Sequence, residues 1–197
     1  MAKITADSLM PLEVYAKARP GFRAQVMAHK KMRQVPLGEH VTLFFEDELT
    51  MRYQVQEMLR VEWIFEVEGI EEELAAYNPL IPDGTNWKAT LMIAYADPAE
   101  RARMLASLTD IENRVWVQAA GCDRVFAIAD EDRVRGTDEK TSAVHFLRFE
   151  LTREMAQALR RGAGLRMGAD HHFYAAEAAC VAPAARDALL QDLHAFV

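Results

Sequence analysis

With 197 residues, 51% of them apolar and 27% charged, the chain can bury a sizeable core and lies outside the compositions of disordered and collagen-like proteins. No run approaches the about 18 apolar residues of a membrane-spanning helix, and no apolar leader precedes a small-residue cleavage site, so a cytoplasmic location without membrane contact is expected. The formal charge of −7 excludes general nucleic-acid binding, which needs a basic surface to neutralise phosphates.

In chain order, a short helix is expected near Pro11 to Ala18, then a Pro20-Gly21 break, then a helix from Phe22 to Met32 with Phe22, Val26 and His29 on one stripe. Pro20 could equally open that second helix. Pro36 and Gly38 mark a turn before a β-branched and aromatic strand, Val41 to Phe45. Asp47 then caps a long helix to Phe65, with Met51, Val55, Met58, Leu59 and Glu62 at helical spacing.

Tyr77 to Gly84 (YNPLIPDG) must be irregular backbone, because its prolines and Asp-Gly pair suit turns. Lys88 to Tyr95 reads as a strand; Asp97, Pro98 and Glu100 form a helix start, and that helix runs to Leu108. Arg114 to Gln118 and Arg124 to Ala129 alternate as a hairpin about Ala120 to Asp123. Asp130 to Lys140 is nearly all charged and is expected to be an exposed, mobile loop. Ala143 to Leu151 is a strand, Thr152 caps a helix ended by Gly162, and one or two strands cover Leu165 to Val181. A last helix opens at Pro183 and runs to Phe196.

This order predicts an α+β protein: a mainly antiparallel sheet with helices on one face and an elaborated split β-α-β core. One domain, 1–197, is expected, with an N-terminal helical segment (1–37) packed at an edge of an α+β core (38–197). Charge is uneven. Lys3, Lys17, Arg19, Arg23, Lys30, Lys31 and Arg33 crowd the first 35 residues, whereas Glu62 to Glu73 holds six glutamates and no basic residue. The plain reading of such runs is two solvated surfaces; the sharper one is a polarised molecule that docks.

Four segments read together resemble a bacterial family: YQVQEMLRVEWIF (Tyr53 to Phe65), AYNPLIPDG (Ala76 to Gly84), ATLMIAY (Ala89 to Tyr95) and TSAVHFLRFEL (Thr141 to Leu151). The chain is identified by them as similar to the domain-of-unknown-function family thirty-five-zero-one, from Pro11 to the last helix. The resemblance implies no activity. It implies a redox neighbourhood, because genes of this family lie beside those for rubrerythrin-like di-iron proteins and an iron–sulfur oxidoreductase related to heterodisulfide reductase subunits.

Among residues that could carry chemistry, Tyr53, Glu57, Arg60 and Ile64 share a helical stripe. Glu57 and Arg60 are candidates for an acid–base or anion-anchoring role; the plainer reading is an intrahelical ion pair. His145 alternates with apolar neighbours, as a core histidine does, and would complete an acid–base set if it faced Glu57. Asn78, Asp83, Lys140 and Arg148 are candidate ligand-binding residues beside Tyr53. His171 and His172 are weak metal candidates, since adjacent strand residues point to opposite faces. His29, His40 and His194 are isolated and receive no role. Cys122 and Cys180 are expected as reduced thiols, and no motif for a cofactor, phosphate loop, nucleophile elbow or zinc helix is present. The leading expectation is an accessory protein of an iron–sulfur oxidoreductase and a rubrerythrin-like partner. The alternative is a small-molecule enzyme using a buried Glu/Arg/His set.

Overall fold

The computed structural model describes residues 3–129 and 140–196. The expected charged loop at Asp130 to Lys140 lies outside the described residues except for Lys140, which is exposed. The fold is α+β, with helices α1 (Leu12–Lys31), α2 (Glu48–Val61), α3 (Val67–Tyr77), α4 (Pro98–Ser107), α5 (Arg153–Arg160) and α6 (Pro183–Leu190). The strands are β1 (Gln34–Leu37), β2 (Val41–Glu46), β3 (Asn86–Ile93), β4 (Val115–Ala119), β5 (Val125–Phe126), β6 (Ile128–Ala129), β7 (Val144–Glu150), β8 (Leu165–His171) and β9 (Tyr174–Ala178).

Among the described residues every strand pairing is antiparallel, and the strands divide between two sheets, β1-β2-β3-β7-β6 and β5-β4-β8-β9. The single split β-α-β sheet expected from element order is therefore replaced by two. The expected hairpin at 114–129 explains the difference. β5 pairs with β4, but Ala127 is buried and donates its N–H to Val115, and the next two residues pair with β7 in the other sheet. The inward faces of both sheets share one core, with Trp87, Leu91, Phe149, Val117 and Met167 closed over by Met155, Leu159 and Leu189.

Helices α2 and α3 cover the opposite, outward face of the first sheet, and α1 packs on α2. Phe146, the outward neighbour of Leu147 on β7, packs into a second cluster with Met51, Val55, Leu59, Leu74 and Leu80. The expected break at Pro20 is absent: α1 continues through it. Proline costs an interior helix about 3 kcal/mol, but Tyr15 on one side of it and Val26 on the other are fully buried, and this packing carries the helix across the missing N–H.

Pro36 belongs to β1, an edge strand, where a missing donor can face away from the ladder. That strand lies inside the segment 1–37 that the sequence assigns to helices. Asp47 caps α2 as expected, its carboxylate accepting from the Thr50 N–H at 2.9 Å. α2 ends at Val61, four residues before the expected Phe65. Trp63 takes a left-handed conformation (φ 57°) and the Ile64 N–H bonds back to the Leu59 carbonyl at 3.0 Å. This six-to-one bond is the Schellman stop, with tryptophan where glycine is usual. α3 then follows within the glutamate run.

Candidate functional site

Glu57 projects from α2 toward α1, the two helices packing along their lengths. Its carboxylate accepts the Tyr15 hydroxyl at 2.6 Å and both forks of the Arg19 guanidinium, Nε at 2.7 Å and Nη2 at 2.8 Å. Arg60 Nη2 donates at 3.4 Å from one turn along. The bidentate Arg19 fork is the main cause that holds the carboxyl down to about 2, against partial burial and with help from the Tyr15 hydroxyl. Burial, and then the bond to Glu57, push the Tyr15 phenol above its ordinary range.

Tyr53, expected beside Glu57, is buried and meets the edge of Phe22 at 6.0 Å between ring centres, and Phe22 in turn meets Tyr15 at 6.2 Å. The stripe is thus a helix–helix seam, and Glu57 has neither a proton to give at neutral pH nor an oxygen without a donor. Arg60 Nε is buried without a hydrogen-bond partner.

His145 is 9% exposed and points into the core shared by the sheets, whereas its neighbour Phe146 faces the helices. Its Nε2 lies 2.9 Å from the Ser142 carbonyl and 2.9 Å from the Thr141 hydroxyl. A carbonyl can only accept, so Nε2 carries the proton, and Glu112 stands 3.9 Å away. His145 pins the chain entering β7. The structure places it and Glu57 on opposite sides of the first sheet, in separate networks, and neither lines the clefts of about 350 and about 500 Å³ on the surface.

The other candidates are also dispersed. Asn78 pairs both ways with the Ile4 backbone at 2.9 Å, tying down the N-terminal segment as a strand neighbour would. Asp83 closes a turn: despite partial burial, which raises it, its carboxyl is held low by the Thr85 N–H and hydroxyl and the Asn86 amide. Arg148 forms an ion pair with Glu150 and lines the cleft of about 350 Å³ together with Lys88, Pro79, Leu80, Ile128 and Phe146. His171 spends both ring nitrogens locally, Nε2 on the Thr109 carbonyl at 2.9 Å and Nδ1 on the Phe173 N–H at 3.2 Å. His172 stacks edgewise on Phe173. Among the described residues, no group of three His, Cys, Asp or Glu side chains is arranged to hold a metal ion.

The most buried ionic network among the described residues joins residues to which the sequence gives no catalytic or binding role. Arg33, 2% exposed, donates to the Phe45, Glu46 and Ala188 carbonyls and to Asp192 at 2.5 Å. Asp47, the α2 cap, accepts from His29 at 2.5 Å and lies 3.4 Å from Arg33. Burial pushes the Asp192 carboxyl up to about 6, with Arg33 pulling it down and Asp47 pushing it up. Arg33 therefore belongs to the interior, not to the basic surface its sequence neighbours suggest. The network ties the end of α1, the start of α2 and the segment after α6, and no motif announces it.

No helix among the described residues is long and apolar enough to cross a membrane. No curated protein matches the chain. A crystal structure at 1.90 Å resolution, of a novel protein of unknown function from Burkholderia pseudomallei K96243, is similar at 51% identity. It covers 98% of this chain and 100% of its own, with a TM-score of 0.92. The sequence model of the family described as Protein of unknown function (DUF3501) matches residues 3–193, and the chain belongs to that family.

Proposed function

We propose that the chain is an accessory protein that docks to an iron–sulfur oxidoreductase and a rubrerythrin-like partner. The observation that carries this reading is the fate of the ionisable residues. Glu57, Arg33, Asp47 and Asp192 are bonded to other parts of the chain, and His145 to the segment beside it, so none of these groups is left open on the described clefts. What remains on the surface is uneven charge. Lys17, Arg23 and Lys31 are exposed on or beside α1, and Glu62, Glu66, Glu68, Glu71 and Glu72 are exposed around α3 with no ion-pair partner among the described residues. Such asymmetry steers association between proteins. The partner class comes from the redox neighbourhood that the family resemblance implies. The enzyme alternative needs Glu57, Arg60 and His145 around one cavity, and the sheet stands between them.

The test is a low-salt pull-down with the tagged chain from native lysate, with both redox proteins sought by mass spectrometry. Recovery of either, lost at high salt, is the expected result. Recovery of neither at low salt overturns the proposal.

A further inference from the structure

From the last residue of α2 to the first of α3 the chain exposes four large apolar side chains within seven residues: Val61 (56%), Trp63 (75%), Phe65 (62%) and Val67 (60%). Trp87 and Trp116, the other tryptophans, are buried. Ile64 turns into the helical cluster, and this anchors the bend that throws Trp63 and Phe65 outward, their ring centres 6.4 Å apart. Beside Phe65 opens a cleft of about 270 Å³ walled by Leu9, Leu12, Leu59, Ile64 and Ile70. A left-handed tryptophan is a costly way to end a helix, and an aromatic pair in water beside an apolar cleft adds nothing to the core.

The rim is acidic. Glu62 and Glu66 flank the pair in the chain and are exposed, and Glu13 lines the cleft. The Glu73 carboxyl is pushed up by burial and then by repulsion from Glu62 and Glu72. Charge therefore selects the occupant. A second copy meeting this face with its own would set glutamate against glutamate, and an anionic bilayer would be repelled.

We propose that Trp63, Phe65 and the adjoining cleft dock a basic amphipathic helix of a partner protein, whose apolar side chains fill the cleft while its lysines or arginines meet the glutamate rim. This rests on the docking reading above and names its surface. Trp63 is an aromatic anchor of the kind that dominates interface energetics.

The test uses the whole chain and synthetic helical peptides of about 15 residues: Leu/Lys, its charge-reversed Leu/Glu counterpart, and a Lys/Ser peptide of equal charge. Anisotropy of a labelled peptide reports binding to wild type and variant alike, and Trp63 emission reports it in the wild type. Expected are a saturable blue shift with Leu/Lys that weakens with salt, binding at least about tenfold weaker for Leu/Glu and Lys/Ser, and a similar loss in a W63G/F65S variant that keeps its circular dichroism. Equal binding by the variant, or by either control peptide, overturns the proposal, as does a wild-type dimer in sedimentation that W63G/F65S abolishes. Failures of the two proposals are separable. Redox proteins captured equally by wild type and W63G/F65S remove this surface and leave the docking reading; Leu/Lys binding without capture of either redox protein leaves the surface and removes those partners.

Discussion

Trp63 occupies a backbone position that glycine fills without steric cost. Trp63→Gly should therefore raise stability by about 1 kcal/mol, read as a higher urea midpoint at unchanged slope. A drop would mean that the exposed indole supports the fold. Glu57 carries the opposite expectation: Glu57→Gln weakens three charge-assisted bonds and should cost about 2 kcal/mol by the same measurement. Arg33→Ala should be harsher, about 3–5 kcal/mol, because it strands Asp192 in the interior. Residue roles were the least legible part of the sequence. The Glu57 stripe is visible in helical spacing, but Arg19 is 38 residues away and Asp192 is 159 residues from Arg33, and no local pattern encodes such pairs. Trp63 and Phe65 read as the end of an amphipathic helix, since nothing local shows that the chain turns there.

At the scale of elements, caps and alternation were legible because their physics is local. Asp47, Asp97 and Thr152 each accept the backbone N–H three residues on, as expected of N-caps. β7 alternates buried and half-buried along its length. Where tertiary packing overrides propensity, sequence reading stops short: Pro20 reads as a break, yet Tyr15 and Val26 hold α1 together across it. Pro20→Ala should restore a helical hydrogen bond and stabilise the chain by about 1–3 kcal/mol, seen as a higher melting temperature. No gain would show that the carbonyls before Pro20 are fully compensated. α3 was hidden because its glutamates mask the apolar stripe of Ile70, Leu74 and Tyr77.

For the molecule as a whole, two carboxyls give opposite pH slopes. Glu57 falls from 4.5 to about 2 in the folded chain, so its contribution is present above 4.5 and is lost as pH drops through about 2. Asp192 rises from 3.8 to about 6, so the folded state binds its proton more tightly; that contribution is full below 3.8 and gone above about 6. The sum of these two contributions is greatest at about pH 4, and Asp192→Asn should flatten the decline toward about pH 6 in a series of urea midpoints. Equal slopes for wild type and Asp192→Asn would contradict this account.

The fold class was legible from the alternation of strands and capped helices, but the division into two sheets was not. It depends on Ala127, where five residues of continuous extended chain leave one sheet for the other. Of the basic residues crowded in the first 35, Arg33 is buried and Arg19 is half-buried against Glu57, which no local pattern showed.

The proposed docking is the central claim, and titration calorimetry of the whole chain against the purified iron–sulfur oxidoreductase tests it most directly, at low and high salt and with wild type and W63G/F65S. Saturable binding at low salt, weakened by salt and by the double substitution, is the predicted result. Heat no larger than dilution for the wild-type chain at low salt would contradict it.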